Sequence, residues 1–338
     1  MLISKCCWLN SLVGEKIHLV RFEPISYGHA AFLIGRRPWD VSRDTDFLVY
    51  AHEHAMKTYG CDGCIVGVDI YNVEIEAYGC EILEPEGNRI PAVGKPSLKR
   101  VEDFLSLELD PFRDGRIPMV LDSAMRIAER NPNIQVRIPL VGPFTIACHL
   151  LGIENCLCEL AVNPEPMATA LLHLADNQLK YANAAVNKGL KLSVFDSSVT
   201  PPILSPRMFS DYVLPSLTRL LHGLPDESAK DIQLIIGGDT VHILDAIASL
   251  TPSYIICPVE TDQEEFLSRA ANYRNMIVRV NMDPSIFLPG RRDVAMTEVK
   301  RVIDLANRHG SEVIGSILPY DADTRIVREI AEWIELGQ

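Results

Sequence analysis

Short apolar runs alternate with amphipathic stretches along most of this chain, and that rhythm predicts its architecture. Runs rich in Val, Ile and Leu predict strands at 17–22 (IHLVRF), 64–69 (CIVGVD), 135–140 (QVRIPL), 190–196 (LKLSVFD), 232–236 (IQLII), 253–257 (SYIIC), 276–280 (MIVRV) and 312–317 (EVIGSI). Between them, apolar positions recur at helical spacing near 117–130, 164–188, 206–222, 240–250, 262–272, 293–308 and 323–336. Strands that are apolar nearly throughout, separated by helices, imply a parallel sheet covered on both faces. Eight such units predict an α/β fold of the closed (β/α)8 TIM-barrel type rather than an open doubly wound sheet. The stretch 70–97 alternates like a strand and is rich in turn residues, so it is expected as a non-helical excursion over the barrel mouth after strand two. No repeat, low-complexity tract or linker interrupts the pattern, and residues 1–338 are expected to form a single domain.

Composition narrows the function. Hydrophobic residues make up 47% of the 338, enough for a large core, and the formal charge is −13. A nucleic-acid partner needs a basic face to displace phosphate counterions, and Arg36-Arg37 and Arg291-Arg292 are isolated pairs that read as solvated surface. No apolar run approaches the ~18–20 residues that span a bilayer, and the N-terminus lacks the apolar region and cleavage site of a secretory signal. Nine cysteines, an odd number in a chain of this length, read as reduced thiols rather than a disulfide framework, which points to the cytoplasm. Neither G-x-G-x-x-G after a strand nor G-x-x-x-x-G-K-[ST] occurs, so dinucleotide and P-loop sites lose their support.

In a barrel of this kind chemistry sits at the carboxyl ends of the strands. Those places hold Glu23 after strand one, Asp69 at the end of strand two, Gly142-Pro143-Phe144 with His149 after strand three, and Asp196-Ser197-Ser198 after strand four. They continue with Gly237-Gly238-Asp239-Thr240, then Cys257 to Asp262, then Asn281 to Pro284, and finally Gly315-Ser316 through Tyr320. Carboxylates clustered in a closed mouth can bind a cation or move protons. Helix capping is the competing role for Asp239 and Asp196, whereas Asp69 is expected to precede no helix and so to be free for function. Cys61 and Cys64 form a lone C-x-x-C, read as structural thiols because a zinc ribbon needs a second pair. Cys6-Cys7 reads as packing in an amphipathic N-terminal helix. Tyr320 is either a ring-stacking wall or a buried core residue.

Over nearly its whole length the chain resembles the uroporphyrinogen decarboxylase superfamily, which includes cobalamin-dependent methyltransferases. The likeness lies in LNSLVGEKIHLVRFEP, VEIEAYGCEI, VGPFTIACHLLGIENCLCELAVNPE, FDSSVTPPILSPRMFSDYVLP, IIGGDTVHIL, RVNMDP and GSILPYDADTRIVREI, in that order. It implies the same (β/α)8 barrel. Decarboxylases of the superfamily use an N-terminal Arg-x-x-x-Arg segment with an Asp, a Tyr and a late His. Asp69 matches the Asp, but the Arg segment is absent from Arg21–Leu33, His149 stands at the Tyr and Gly315-Ser316 at the His. VEIEAYGCEI, VGPFTIA and LPYDAD resemble the methyltransferase branch more closely. Thiol-methylating members bind zinc through His-x-Cys after strand five and a Cys after strand eight; here those places read Ile235, Gly237 and Ser316. The resemblance leaves zinc as an open cofactor with its usual ligands missing.

Ether cleavage therefore leads: a methyl group passes from a small-molecule O-methyl donor, such as a methoxylated aromatic, to Co(I) of a separate corrinoid protein. Cobalamin is expected on that partner because D-x-H-x-x-G, which supplies a histidine to cobalt, is absent from this chain. Glu260 is the leading residue for protonating the leaving oxygen or holding a metal, followed by Asp69 and Asp239, with Asn281 orienting the oxygen or a water. His29, Tyr71, His149, Asp196 and Tyr320 are expected to contact substrate. The alternatives are a methylcobamide:thiol methyltransferase with altered metal ligands, a decarboxylase, and a non-catalytic binding barrel.

Overall fold

The computed structural model describes residues 20–336. Eight parallel strands run β1 Arg21–Ile25, β2 Gly63–Ile65, β3 Gln135–Val141, β4 Lys191–Phe195, β5 Ile232–Ile235, β6 Tyr254–Cys257, β7 Ile277–Asn281 and β8 Val313–Ile317. They are hydrogen-bonded in the order β1-β8-β7-β6-β5-β4-β3-β2, the sequential order of a (β/α)8 barrel. No ladder joins β1 to β2, so the barrel is nearly closed, and Arg21 Nη1 reaches across that seam to Asp62 Oδ2 at 2.9 Å. Helices ring the sheet, and buried aliphatic residues from strands and helices form one continuous core cluster between the two layers. A smaller cluster of Ile70, Phe195, Ile235, Tyr254 and Ile256 fills the upper barrel interior. No single helix among the described residues is long and apolar enough to cross a membrane.

All eight expected strands are present, with two corrections that bear on the site. The first strand begins later than expected, at Arg21, and the expected start at 17–19 lies outside the described residues, as does Cys6-Cys7. Glu23 therefore does not follow the strand. It sits inside β1, pointing into the barrel, where Tyr254 donates its hydroxyl proton and Arg279 Nη1 lies 3.8 Å away. Its polarity made the strand look finished at Phe22; Tyr254 on β6 and Arg279 on β7 let Glu23 lie within the strand.

The second correction concerns 70–97. Ile70–Ala77 is a helix, buried along Ile70, Asn72, Val73, Glu74 and Ile75. The V-E-I-E alternation imitated a strand because Glu74 is itself buried: its carboxylate accepts from Val141 N at 2.5 Å and from Gln178 Nε2 at 3.1 Å. A carboxylate satisfied in this way can face the core, so the polar positions did not mark a solvent side. Beyond this helix, a two-residue antiparallel pair, Ile82–Leu83 with Ala92–Val93, carries a loop back over the mouth. Arg37 holds that loop through Glu84 Oε1 at 2.7 Å and the carbonyls of Pro85 and Gly87.

Candidate active site

The carboxyl ends of the strands enclose a cavity of about 540 Å³. Tyr27 and Gly28 follow β1, Val68 to Asn72 follow β2, Phe195 and Ser197 come from the end of β4, and Ile235 and Gly237 from β5. Ile256 to Glu260, Asn281 with Met282 and Pro284, and Ser316 to Tyr320 complete the wall, with Ile90 and Pro91 of the excursion as its cover. The floor is apolar, built from Phe195, Ile235 and Ile256. Tyr27 and Tyr71 each set a ring edge-on to Phe195 with centroids 6.2 Å apart, a favourable arrangement of aromatic quadrupoles. A Cβ at Gly28 would lie 2.4 Å from Ile90 Cδ1, so a side chain there would displace the Ile90 side chain from its place in the cover.

Five of the sequence-derived residues meet at this cavity: Asp69, Tyr71, Glu260, Asn281 and Tyr320. Glu260 is exposed at the rim. Asn281 Oδ1 accepts from Arg279 Nε at 2.9 Å, leaving its amide N–H groups as donors toward the cavity side. Tyr320 is half-buried, and its hydroxyl donates to Arg36 O at 3.3 Å. Burial raises the phenol pKa of Tyr71 and Tyr320, and that of Tyr27 further.

Asp69 is buried and fully engaged. Arg116 grips it with two donors, Nη1 to Oδ1 and Nη2 to Oδ2, both at 2.9 Å, and Asn72 Nδ2 adds a third at 3.2 Å. Burial pushes its carboxyl above the usual carboxylate range, opposed by the guanidinium beside it. Arg116 also binds Glu76 and the Ser42 carbonyl. Although a helix does follow Asp69, its side chain makes no capping bond there. Arg116 went unnoticed in the sequence because nothing local in RDGRIP marks a residue that pairs with a carboxylate 47 positions away. Tyr27 and Phe195 were also overlooked, although both stand at the end of a strand.

His29, His149, Asp196 and Asp239 are not brought to the cavity. His29 is buried with both ring nitrogens occupied: Nδ1 faces Tyr320 O at 2.8 Å, and Nε2 faces the Tyr59 hydroxyl at 2.6 Å. A carbonyl can only accept, so Nδ1 carries the proton and Nε2 accepts from Tyr59. Burial lowers its pKa, consistent with a neutral ring that pins the Tyr320 loop. His149 lies on the helix Pro143–Leu151, which packs behind the wall; burial lowers its pKa as well. Asp196 is buried beneath the rim. Its Oδ1 accepts from Thr145 Oγ1 at 2.6 Å and Thr145 N at 3.2 Å, while Oδ2 has no partner. Burial raises its pKa to about 7. Asp239 is half-exposed and accepts from Thr261 Oγ1 at 2.9 Å, so the expected helix cap is not formed there.

Two groups outside the mouth complete the account of earlier expectations. Cys61 and Cys64 are free thiols at the opposite end of the barrel, beside the seam, and burial raises the Cys61 thiol to about 12. Such thiols stay protonated, which fits a packing role. Ile235, Gly237 and Ser316 do line the cavity, so the positions where zinc ligands are expected by resemblance are correctly placed but carry no nitrogen, thiolate or carboxylate. The Ser316 hydroxyl is used on Met282 O at 2.9 Å. No group of three His, Cys, Asp or Glu side chains among the described residues converges on a metal site. These residues do not fit a resident zinc.

Comparison with known proteins now places the chain. The uroporphyrinogen decarboxylase (URO-D) family model matches residues 29–317. The chain belongs to that family. A uroporphyrinogen decarboxylase from Syntrophotalea carbinolica is 31% identical over 262 residues, covering 72% of this chain and 70% of the relative. The methylcobamide:CoM methyltransferase MtbA of Methanosarcina acetivorans is 22% identical over 266 residues, covering 78% and 76%. A solved methyltransferase from Methanosarcina mazei superposes with a TM-score of 0.77 at 19% identity, covering 94% of this chain and 92% of that one. That likeness confirms the fold. The relatives are enzymes, and they divide between two chemistries on one family scaffold.

Proposed function

We propose that this protein is a corrinoid-dependent methyltransferase of the ether-cleaving type, transferring a methyl group from an O-methyl donor to Co(I) of a separate corrinoid protein. The carrying observation is the mouth itself: an apolar, aromatic-walled cavity of about 540 Å³, with a free carboxylate and an amide at its edge and no Lys, Arg or His among the described residues that line it. A porphyrinogen with many carboxylates needs cationic partners when it leaves water, which weighs against decarboxylation. The second reading, methyl transfer to a thiol, has support in the MtbA relatives. Ile235, Gly237 and Ser316 weigh against it, because activating a thiol near neutral pH calls for a metal or comparable charge.

In ether cleavage the methyl carbon–oxygen bond breaks, the methyl carbon becomes bonded to cobalt, and the bonding pair stays on oxygen. An alkoxide or phenolate is a poor leaving group, so a proton delivered as the bond breaks lowers the barrier. Glu260 is assigned as the proton donor and Asn281 as the hydrogen-bond donor to the departing oxygen. Phe195, Tyr27 and Tyr71 hold the organic part of the donor by contact with its faces and edges. Asp69, locked to Arg116, positions the start of the helix that carries Tyr71.

The test is enzyme-dependent formation of methylcobalamin from reduced free cobalamin and a panel of methoxylated aromatics, with metal content measured on the same sample. Turnover with at least one donor, reduced about 100-fold or more in Glu260→Gln, is the expected result. Absence of turnover with every donor overturns the reading.

A further inference from the structure

The charge around the cavity restricts which donor can enter. Two charged groups line it among the described residues, and both are carboxylates. Asp69 is neutralised by its paired bonds to Arg116, and Arg116 does not itself line the cavity: four of its five N–H donors are held by Glu76, Ser42 O and the two oxygens of Asp69. Arg279 lies below the floor and spends its Nε on Asn281, with Glu23 alongside. Glu260 stands at the rim without an ion-pair partner among the described residues, over walls of Tyr27, Tyr71, Phe195 and Ile256. An acid group carried into this space loses water and gains no cation from the residues that line it.

We infer that the site selects aromatic ethers without an acidic substituent, neutral phenol ethers rather than methoxybenzoates. This rests on the reading that the cavity holds the methyl donor. The selection arises from two features that act together: a guanidinium held behind the wall by Asp69 and Glu76, and an apolar aromatic wall that compensates a neutral ring but not an anion. It extends to any co-substrate that enters the same mouth, so a sulfonated or carboxylated thiol is disfavoured as a methyl acceptor there.

The experiment compares 4-methoxybenzamide with 4-methoxybenzoate, near-isosteres that differ in charge at pH 7. Binding to the full-length protein is read by calorimetry or ligand-detected NMR, and methyl transfer to Co(I) is read separately. The amide is expected to bind at least about tenfold more tightly than the benzoate. Ile317→Lys places a cation at the rim, where Ile317 is 41% exposed, and is expected to narrow or reverse that ratio. Equal or tighter binding of the benzoate by the unsubstituted protein overturns the inference, as does failure of both compounds to bind. If the amide binds selectively and no methyl transfer occurs from any donor, the enzymatic reading fails while the charge selection stands.

Discussion

Asp196 shows how a single residue can look functional and act structurally. It sits at the end of β4, where substrate contacts are expected, yet its carboxylate turns away from the cavity onto Thr145. The backbone accommodates it only because position 142 is glycine: a Cβ there would lie about 2.1 Å from Asp196 Cγ. Burial raises its pKa from 3.8 to about 7, and that of Glu74 from 4.5 to about 7. Both folded-state values lie above those of the unfolded chain, so each group contributes stability that is present below its unfolded pKa and is lost as pH rises toward 7. Stability is therefore expected to fall between about pH 4.5 and 7 and then level off. Asp196→Asn should flatten part of that slope, by roughly 4 kcal/mol at most; urea midpoints measured across the range check it. Arg116 presents the opposite situation. Removing it in Arg116→Met leaves Asp69 buried without its cation, and a loss of about 3–5 kcal/mol is expected in denaturant unfolding. Asp69→Asn should cost less, because the amide still accepts from Arg116.

Elements were legible in proportion to how well their polar residues marked the solvent side. Strands β3 to β8 were found close to their true limits because apolar residues predominate in each of them. Ile70–Ala77 was missed because Glu74 faces inward, and β1 was displaced because Glu23 does. Both errors trace to buried carboxylates whose partners lie 67 and 231 positions away, beyond any local pattern. The β7–β8 pair shows a related dependence. Arg279, the one charge in MIVRV, crosses the barrel interior, and β8 meets it with Gly315. A Cβ at 315 would lie 2.5 Å from the Glu23 carbonyl oxygen and 2.7 Å from Arg279 Cδ. Gly315→Ala is expected to destabilise by about 1–3 kcal/mol through overpacking, read as a lower midpoint in urea; an unchanged midpoint would remove this account of the glycine.

At the scale of the whole molecule, the barrel brings seven of its eight strand ends to one cavity, and β3 is the exception. After β3 the chain turns at Gly142 into a helix that seals the wall from behind, which is why His149 does not reach the mouth. The excursion over 78–97 closes the top, and its contact through Ile90 onto Gly28 ties it to the first strand's end. A ligand held between floor and cover binds the folded state alone. A neutral aromatic ether present at about 100 times its dissociation constant should therefore add about 2.7 kcal/mol to stability, seen as a rise in Tm. Gly28→Val should weaken that rise by pushing Ile90 aside.

The sequence by itself determined the barrel and picked out five residues that line the cavity at its carboxyl end, because apolar periodicity and strand-end position are local properties. Residue identity alone also decides that Ile235, Gly237 and Ser316 carry no imidazole, thiol or carboxylate. Tertiary structure decided which carboxylates are available. Asp69 is consumed by Arg116, Asp196 by Thr145 and Glu23 by Tyr254 and Arg279, whereas Glu260 is left at the rim. A carboxylate's role depends on whether a partner distant in sequence has already satisfied it, and only folding brings such partners together.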